Sequence, residues 1–271
     1  MDESTRSPLA LFPPPYHALI PLDPDEEFPR RIEMLRGSAL VWRLRHDQNY
    51  CLFRKVTRRP PGLPLIVVLP AASAVPAIEP FALAVAEEAR PQSVLPHHPT
   101  LLPEELVTLL RSEPEDLAGE FLDFLRWRGF RLDQETRRLI RVTVELSAEL
   151  RTLSALARGV YMSRRALGRR FKKRGLPVPS HWLQFCRLLR VVIRLQRSRA
   201  SVFEVACSLG YPDGFTMSNQ MNRLVGIRPS EARDRLGWEW FVESWLRQEA
   251  GTGGLGRGLP EWRSAIANQT R

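Results

Sequence analysis

The chain contains an internal repeat with a period near 50 residues, and this repeat limits the folds open to it. Leu156-Ala157-Arg158-Gly159-Val160-Tyr161-Met162-Ser163 aligns with Val205-Ala206-Cys207-Ser208-Leu209-Gly210-Tyr211, which is followed by Pro212-Asp213. Each copy has a small Ala where two helices must approach closely. Each has an apolar residue before the turn (Val160, Leu209) and an N-cap residue opening the next helix (Ser163, Asp213). In that next helix Leu167 and Phe171 match Met217 and Met221; both pairs are four apart and share a face. The second copy opens with Ser201-Val202-Phe203-Glu204, the spacing of a capping box. A short helix, a tight turn and a second, amphipathic helix is the helix-turn-helix plan. The alternative is a plain helical bundle, and charge separates the two.

The chain has 271 residues and a formal net charge of +10. From Gly129 to Arg235 there are 22 Lys/Arg against 8 Asp/Glu, a net of +14, so the remainder is acidic. Between Leu150 and Phe203 there are 14 basic residues and no acidic one. A basic zone laid over paired helix-turn-helix patterns is an independent footprint of nucleic-acid binding.

The combined pattern resembles the DNA-binding domain of the AraC/XylS family of bacterial transcription regulators over residues 133–235. The residues that carry it are Leu156-Ala157, then Ser163, Leu167, Arg169-Arg170-Phe171-Lys172, and Arg187-Leu188 in a linker helix. Further on come Val205-Ala206, Leu209-Gly210-Tyr211, Asp213, Gly226-Ile227, Pro229-Ser230 and Arg233. The resemblance implies a mainly α protein. Its C-terminal seven-helix domain would hold two helix-turn-helix motifs joined by a linker helix, with the recognition helices entering successive major-groove segments of double-stranded DNA. RNA polymerase and a second copy of the chain are further expected partners, the cytoplasm is the expected compartment, and no cofactor is expected.

The first recognition helix is expected over Ser163–Lys173. Arg165 and Arg169 suit guanine O6/N7, which Arg binds bidentately, and Arg164 suits a base or a phosphate. Ser163, Lys172, Lys173 and Arg174 suit phosphates, which position the protein and make affinity salt-dependent. The second recognition helix is expected over residues 213–224, with Phe215, Thr216 and Asn219 towards the groove and Arg223 at a phosphate. Where the family commonly has Arg and Lys, this chain has Asn219 and Asn222; Asn pairs with adenine and an apolar group meets a thymine methyl, so this helix leans towards A/T. Tyr161 stands where the second motif has Gly210. A positive φ is costly for Tyr, so the first turn is expected to differ in detail. Arg187, Arg190, Arg194 and Arg197 step by 3, 4 and 3 along the linker helix. Arg187 reads as structural, and the stripe as either a solvated face or a phosphate contact.

Residues 1–30 are rich in proline and read as a disordered arm, within which Pro13-Pro14-Pro15-Tyr16 matches a peptide-ligand pattern by chance. Residues 31–112 read as a small α/β domain, similar in architecture to a shortened phospho-receiver but without its acidic strand tip. Ala39–Arg45, Tyr50–Val56, Leu63–Leu69 and Gln92–Leu95 are strand-like, and Ala77–Arg90 is a helix candidate. A connecting helix is expected within 113–132. A C-terminal helix and a flexible tail rich in glycine from Gly251 onward are expected within 236–271.

Three scattered cysteines (Cys51, Cys186, Cys207) and the isolated His97-His98 pair make neither a disulfide framework nor a zinc site. With no phosphate loop or nucleophile elbow either, an enzyme is not expected. The longest apolar runs are far too short to span a membrane.

Overall fold

The computed structural model describes residues 7–23, 28, 37–45, 50–70, 84–85, 88–97 and 101–256. The chain divides into two compact units. Among the described residues, one takes in those up to Ser112 together with Asp234–Trp240; the other takes in Glu113–Arg233 and those from Phe241 to residue 256.

The first unit is built on a five-stranded sheet. Its strands are β1 (Leu9–Phe12), β2 (Ile20–Pro21), β3 (Ala39–Arg43), β4 (Leu65–Val68) and β5 (Ser93–Leu95), in the spatial order β2-β1-β3-β4-β5. β4 is apolar without interruption because both its faces are covered. Leu65 and Val67 enter one core with Leu40, Trp42, Leu52 and Val56. Ile66 and Val68 enter another with Phe12, Val41, Leu106 and Leu110. Helix α1 (Tyr50–Thr57) supplies Leu52 and Val56, and helix α2 (Pro103–Leu110) supplies Leu106 and Leu110.

Three sequence expectations change here. The segment 1–30 is not wholly a disordered arm: Leu9–Phe12 is a fully buried strand paired with β3, Leu9 opposite Trp42. Its flanking prolines sit outside the strand, where no ladder amide is needed. In the same segment Tyr16 is a core residue, consistent with a chance match to the peptide-ligand pattern; its hydroxyl donates to the Gly37 carbonyl and accepts from the Leu236 amide at 2.9 Å. The span 50–57 is helical, with Leu52 and Val56 one turn apart on the buried face. Finally, the sheet departs from the receiver-like plan, because β1 runs antiparallel to both β2 and β3 and only β3, β4 and β5 are parallel. The helix candidate at 77–90 and His98 fall largely or wholly outside the described residues.

Beyond the sheet the chain is helical. The helices are α3 (Leu117–Trp127), α4 (Gln134–Leu146), α5 (Leu153–Gly159), α6 (Arg164–Lys173), α7 (Pro179–Arg197), α8 (Val202–Ser208), α9 (Gly214–Val225), α10 (Pro229–Asp234) and α11 (Glu239–Gly251). The protein is mainly α, and seven helices, α4 to α10, lie between Gln134 and Asp234. The long helix α7 is the axis of the second unit. Its Trp182 and Phe185 meet Phe121 of α3, and Trp182 also meets Phe171 of α6. Phe185 stacks on Trp245 of α11 at 4.0 Å between centroids. Arg128 donates to Glu243 at 2.9 Å in a buried ion pair, so both charges are compensated where water is excluded. The glycine-rich stretch is ordered at its start, against expectation. Gly254 donates to the Glu249 carbonyl at 2.7 Å, Gly256 to the Gly175 carbonyl at 3.0 Å, and Leu255 is buried.

Candidate nucleic-acid interface

The two motifs close with the same hydrogen bonds. After α5, Met162 N–H donates to Ala157 O at 2.9 Å and Tyr161 N–H to Arg158 O at 3.0 Å. After α8, Tyr211 N–H donates to Ala206 O at 3.0 Å and Gly210 N–H to Cys207 O at 3.0 Å. This is the Schellman pairing, which needs a left-handed residue just past the helix end. Gly210 takes that place with φ +75° and Tyr161 with φ +55°. The expectation of a different first turn is therefore wrong: the carbonyls of α5 need the same closure, and Tyr161 adopts the costly conformation with its side chain 96% exposed.

The second helix of each motif is started by a side-chain cap. Ser163 Oγ accepts from Ala166 N–H at 3.1 Å, and Asp213 Oδ1 from Thr216 N–H at 2.6 Å. That bond holds the Asp213 carboxyl below the usual carboxylate range. The Ser201–Glu204 capping box forms as the sequence suggests, at 2.7 and 3.1 Å.

Leu167 and Phe171 bury the inner face of α6. Arg164, Arg165, Arg169, Lys172 and Lys173 are exposed and have no hydrogen-bond or ion-pair partner among the described residues. The first turn of α6 holds no acid and two arginines. Cations at the positive end of a helix dipole are unfavourable on their own, and an anion placed there relieves the repulsion. Two further cations on α6 and just past it are engaged. Arg170 pairs with Glu135, and Arg174 pairs with Asp133, the N-cap of α4. The sequence spacing does not reveal these pairs because the partners lie 35 and 41 residues apart.

On α9, Met217, Met221, Leu224 and Val225 are buried, while Phe215, Thr216, Asn219, Asn222 and Arg223 are exposed. Phe215 is 75% exposed and Phe203, at the start of α8, is 59% exposed. Arg223 lies 3.4 Å from Oε1 of the Gln184 side chain, a long contact. The exposed face of α9 thus carries one cation against five on α6.

The linker-helix arginines do not form a common stripe for phosphates. Arg187 donates to the Leu209 carbonyl at 3.0 Å and lies over the Tyr211 ring at 4.3 Å, which fixes α7 to the second turn. Arg190 donates to Ser147 Oγ at 3.0 Å and Val144 O at 2.9 Å, satisfying the end of α4. Arg197 pairs with Glu113. Only Arg194 lacks a partner among the described residues. Regular spacing placed them on one face, but the neighbours of that face differ along its length. Arg151 was also not foreseen. A Cβ built on Gly210 would come within 2.5 Å of its guanidinium, so the segment leading into α5 lies against the second turn. Cys186 is fully buried on α7, its thiol pushed up to about 12 by burial, which makes it an inert core residue.

Among the described residues no helix is long and apolar enough to cross a membrane, and no group of three metal-ligating side chains forms. Residues 156–235 match the sequence family described as a helix-turn-helix domain. No curated protein and no solved structure matches the chain. Residues 156–235 are therefore a DNA-binding helix-turn-helix domain of the AraC/XylS type, and the chain that carries it is a transcription regulator.

Proposed function

We propose that the protein regulates transcription by sequence-specific binding, its two recognition helices reading successive major-groove segments with unequal weight. The observation that supports this best is the set of five exposed cations on α6 that have no partner among the described residues, against a single exposed cation, Arg223, on α9. In this reading Arg165 and Arg169 donate to guanine O6 and N7, and Arg164 to a base or phosphate. Ser163 still has its hydroxyl hydrogen to donate, since its oxygen is what caps α6; it joins Lys172 and Lys173 at phosphates. Arg174 would join them only after leaving Asp133. On α9, Phe215, Thr216 and Asn219 face an A/T-leaning half-site and Arg223 a phosphate. The chemistry proposed is binding alone. RNA polymerase and a second copy of the chain are the partners such a regulator meets, in the cytoplasm with the DNA.

The test is selection of bound duplexes from a random pool by the purified full chain, followed by mobility shifts. The expected result is one guanine-containing half-site and one A/T-leaning half-site about one helical turn apart, bound at least a thousandfold more tightly than random DNA. A selected-to-random ratio near one with a steep salt dependence would instead mark a scaffold that holds DNA non-specifically.

A further inference from the structure

A second basic site lies away from α6, where α3 hands over to α4. There a cleft of about 460 Å³ is lined by Leu122 and Arg126 of α3, by Phe130, Arg131 and Leu132 of the connection, and by Arg137 of α4. The connection is an ordered turn. Gly129 has φ +100°, its N–H donates to Arg126 O at 3.0 Å, and Phe130 N–H donates to Leu125 O at 2.9 Å. Leu122 is buried, and Phe130 and Leu132 are half-buried beside it. The guanidinium groups of Arg126, Arg131 and Arg137 have no hydrogen-bond or ion-pair partner among the described residues, and no carboxylate lines the cleft. Three unneutralised cations around an apolar floor are complementary to one chemistry, an anionic head on an apolar body. The volume suits a small molecule.

The position gives such a ligand a route to the DNA reader. Arg131 and Leu132 directly precede Asp133, and Arg137 lies one turn from it. Asp133 and Glu135 are the carboxylates that hold Arg174 and Arg170 beside α6. A ligand that displaces the 131–137 segment would move the carboxylates that hold those two cations. By linkage, DNA bound to α6 must then alter ligand affinity by the same factor.

We propose that this cleft binds an amphipathic anion, a carboxylate or phosphate on a short apolar body, and that α6 senses its occupancy through Asp133 and Glu135. The binding half of this inference stands independently; the sensing half rests on the DNA-binding role of α6 proposed above.

Calorimetric titration of the full chain with octanoate, octyl phosphate, acetate, inorganic phosphate and octanol tests the binding without DNA. The octyl anion with the matching head should bind at least tenfold more tightly than its bare head group, the effect of burying two methylenes. It should also bind at least tenfold more tightly than octanol. Arg131→Ala/Arg137→Ala, which alters two exposed side chains, should weaken it at least tenfold. Octyl anions that bind no better than acetate and phosphate, or equally well to the double variant, would overturn the site. For the coupling, the saturating octyl anion should shift the dissociation constant of selected DNA at least threefold in the native chain and leave it unchanged in Asp133→Asn/Glu135→Gln. Asn retains the helix cap there while removing the charge. An equal shift in both proteins, or none in either, would overturn the coupling while leaving the calorimetric result to decide the site.

Discussion

Arg187 and Tyr211 form a stacked pair: the guanidinium carbon of Arg187 lies 4.3 Å from the Tyr211 ring centroid, and the same group donates to the Leu209 carbonyl at 3.0 Å. The contact joins α7 to the turn of the second motif and so sets how the two motifs are held relative to each other. Burial raises the Tyr211 hydroxyl to about 12, which keeps it neutral, and it donates to Gln220 Oε1 at 2.7 Å on α9. Arg187→Met should cost about 1–3 kcal/mol, from the lost charged hydrogen bond and the lost stacking. Arg187→Lys should recover little, because an ammonium lacks the planar fork. Urea denaturation of the full chain followed by far-UV circular dichroism measures both; a Lys variant as stable as the native chain would contradict the stacking.

The equivalent turn positions should respond with opposite signs. Tyr161→Gly relieves a left-handed β-carbon and should stabilise by about 1 kcal/mol, less the added flexibility of the unfolded chain. Gly210→Ala imposes the same strain where none exists and pushes the Arg151 guanidinium aside, so it should destabilise by about 1–2 kcal/mol. Thermal unfolding of both variants checks the signs, and a destabilised Tyr161→Gly would contradict the turn geometry.

Acid should weaken the helical unit through its capping carboxylates. The Asp213 carboxyl is held low by the Thr216 amide, and the Asp116 carboxyl by the Gly119 amide and the Arg141 guanidinium. A folded pKa below the unfolded value gives stability that is present above about pH 4 and is lost as pH falls through the folded pKa. Asn caps without titrating. Stability of Asp213→Asn, measured by urea titration at about pH 5 and pH 3, should therefore fall less than that of the native chain. Equal losses would remove Asp213 from the account.

The proposed function puts Lys172 and Lys173 at phosphates and not at bases. Lys172→Ala/Lys173→Ala should reduce the magnitude of the slope of log K against log salt by about 2, and should weaken selected and random DNA alike. A change in selectivity without a change in slope would place one of them at a base.

The repeat, the caps and the buried pairs Leu167/Phe171 and Met217/Met221 were legible because each depends on residues within one or two helical turns. The basic zone was legible because charge adds without knowledge of the fold. What escaped the sequence depends on distant partners. Leu9–Phe12 is four apolar residues among prolines and becomes a strand only by pairing with β3. The segment from Tyr50 to Val56 fits both periods, and burial of Leu52 with Val56 settles it as a helix. The linker arginines share a face by spacing, yet one meets an aromatic ring, one a helix end and one a carboxylate. The occupation of Arg170 and Arg174 by Glu135 and Asp133 is equally non-local.

The central claim is that α6 reads sequence through Arg165 and Arg169. The most direct test is the ratio of affinities for selected and random DNA, measured at one salt concentration for the native chain and for Arg165→Ala/Arg169→Ala. Two bidentate contacts at about 1–3 kcal/mol each predict that the ratio falls at least about thirtyfold, with the larger share of the loss on selected DNA. An unchanged ratio, with both DNAs weakened equally, would reduce α6 to a phosphate clamp and contradict the account.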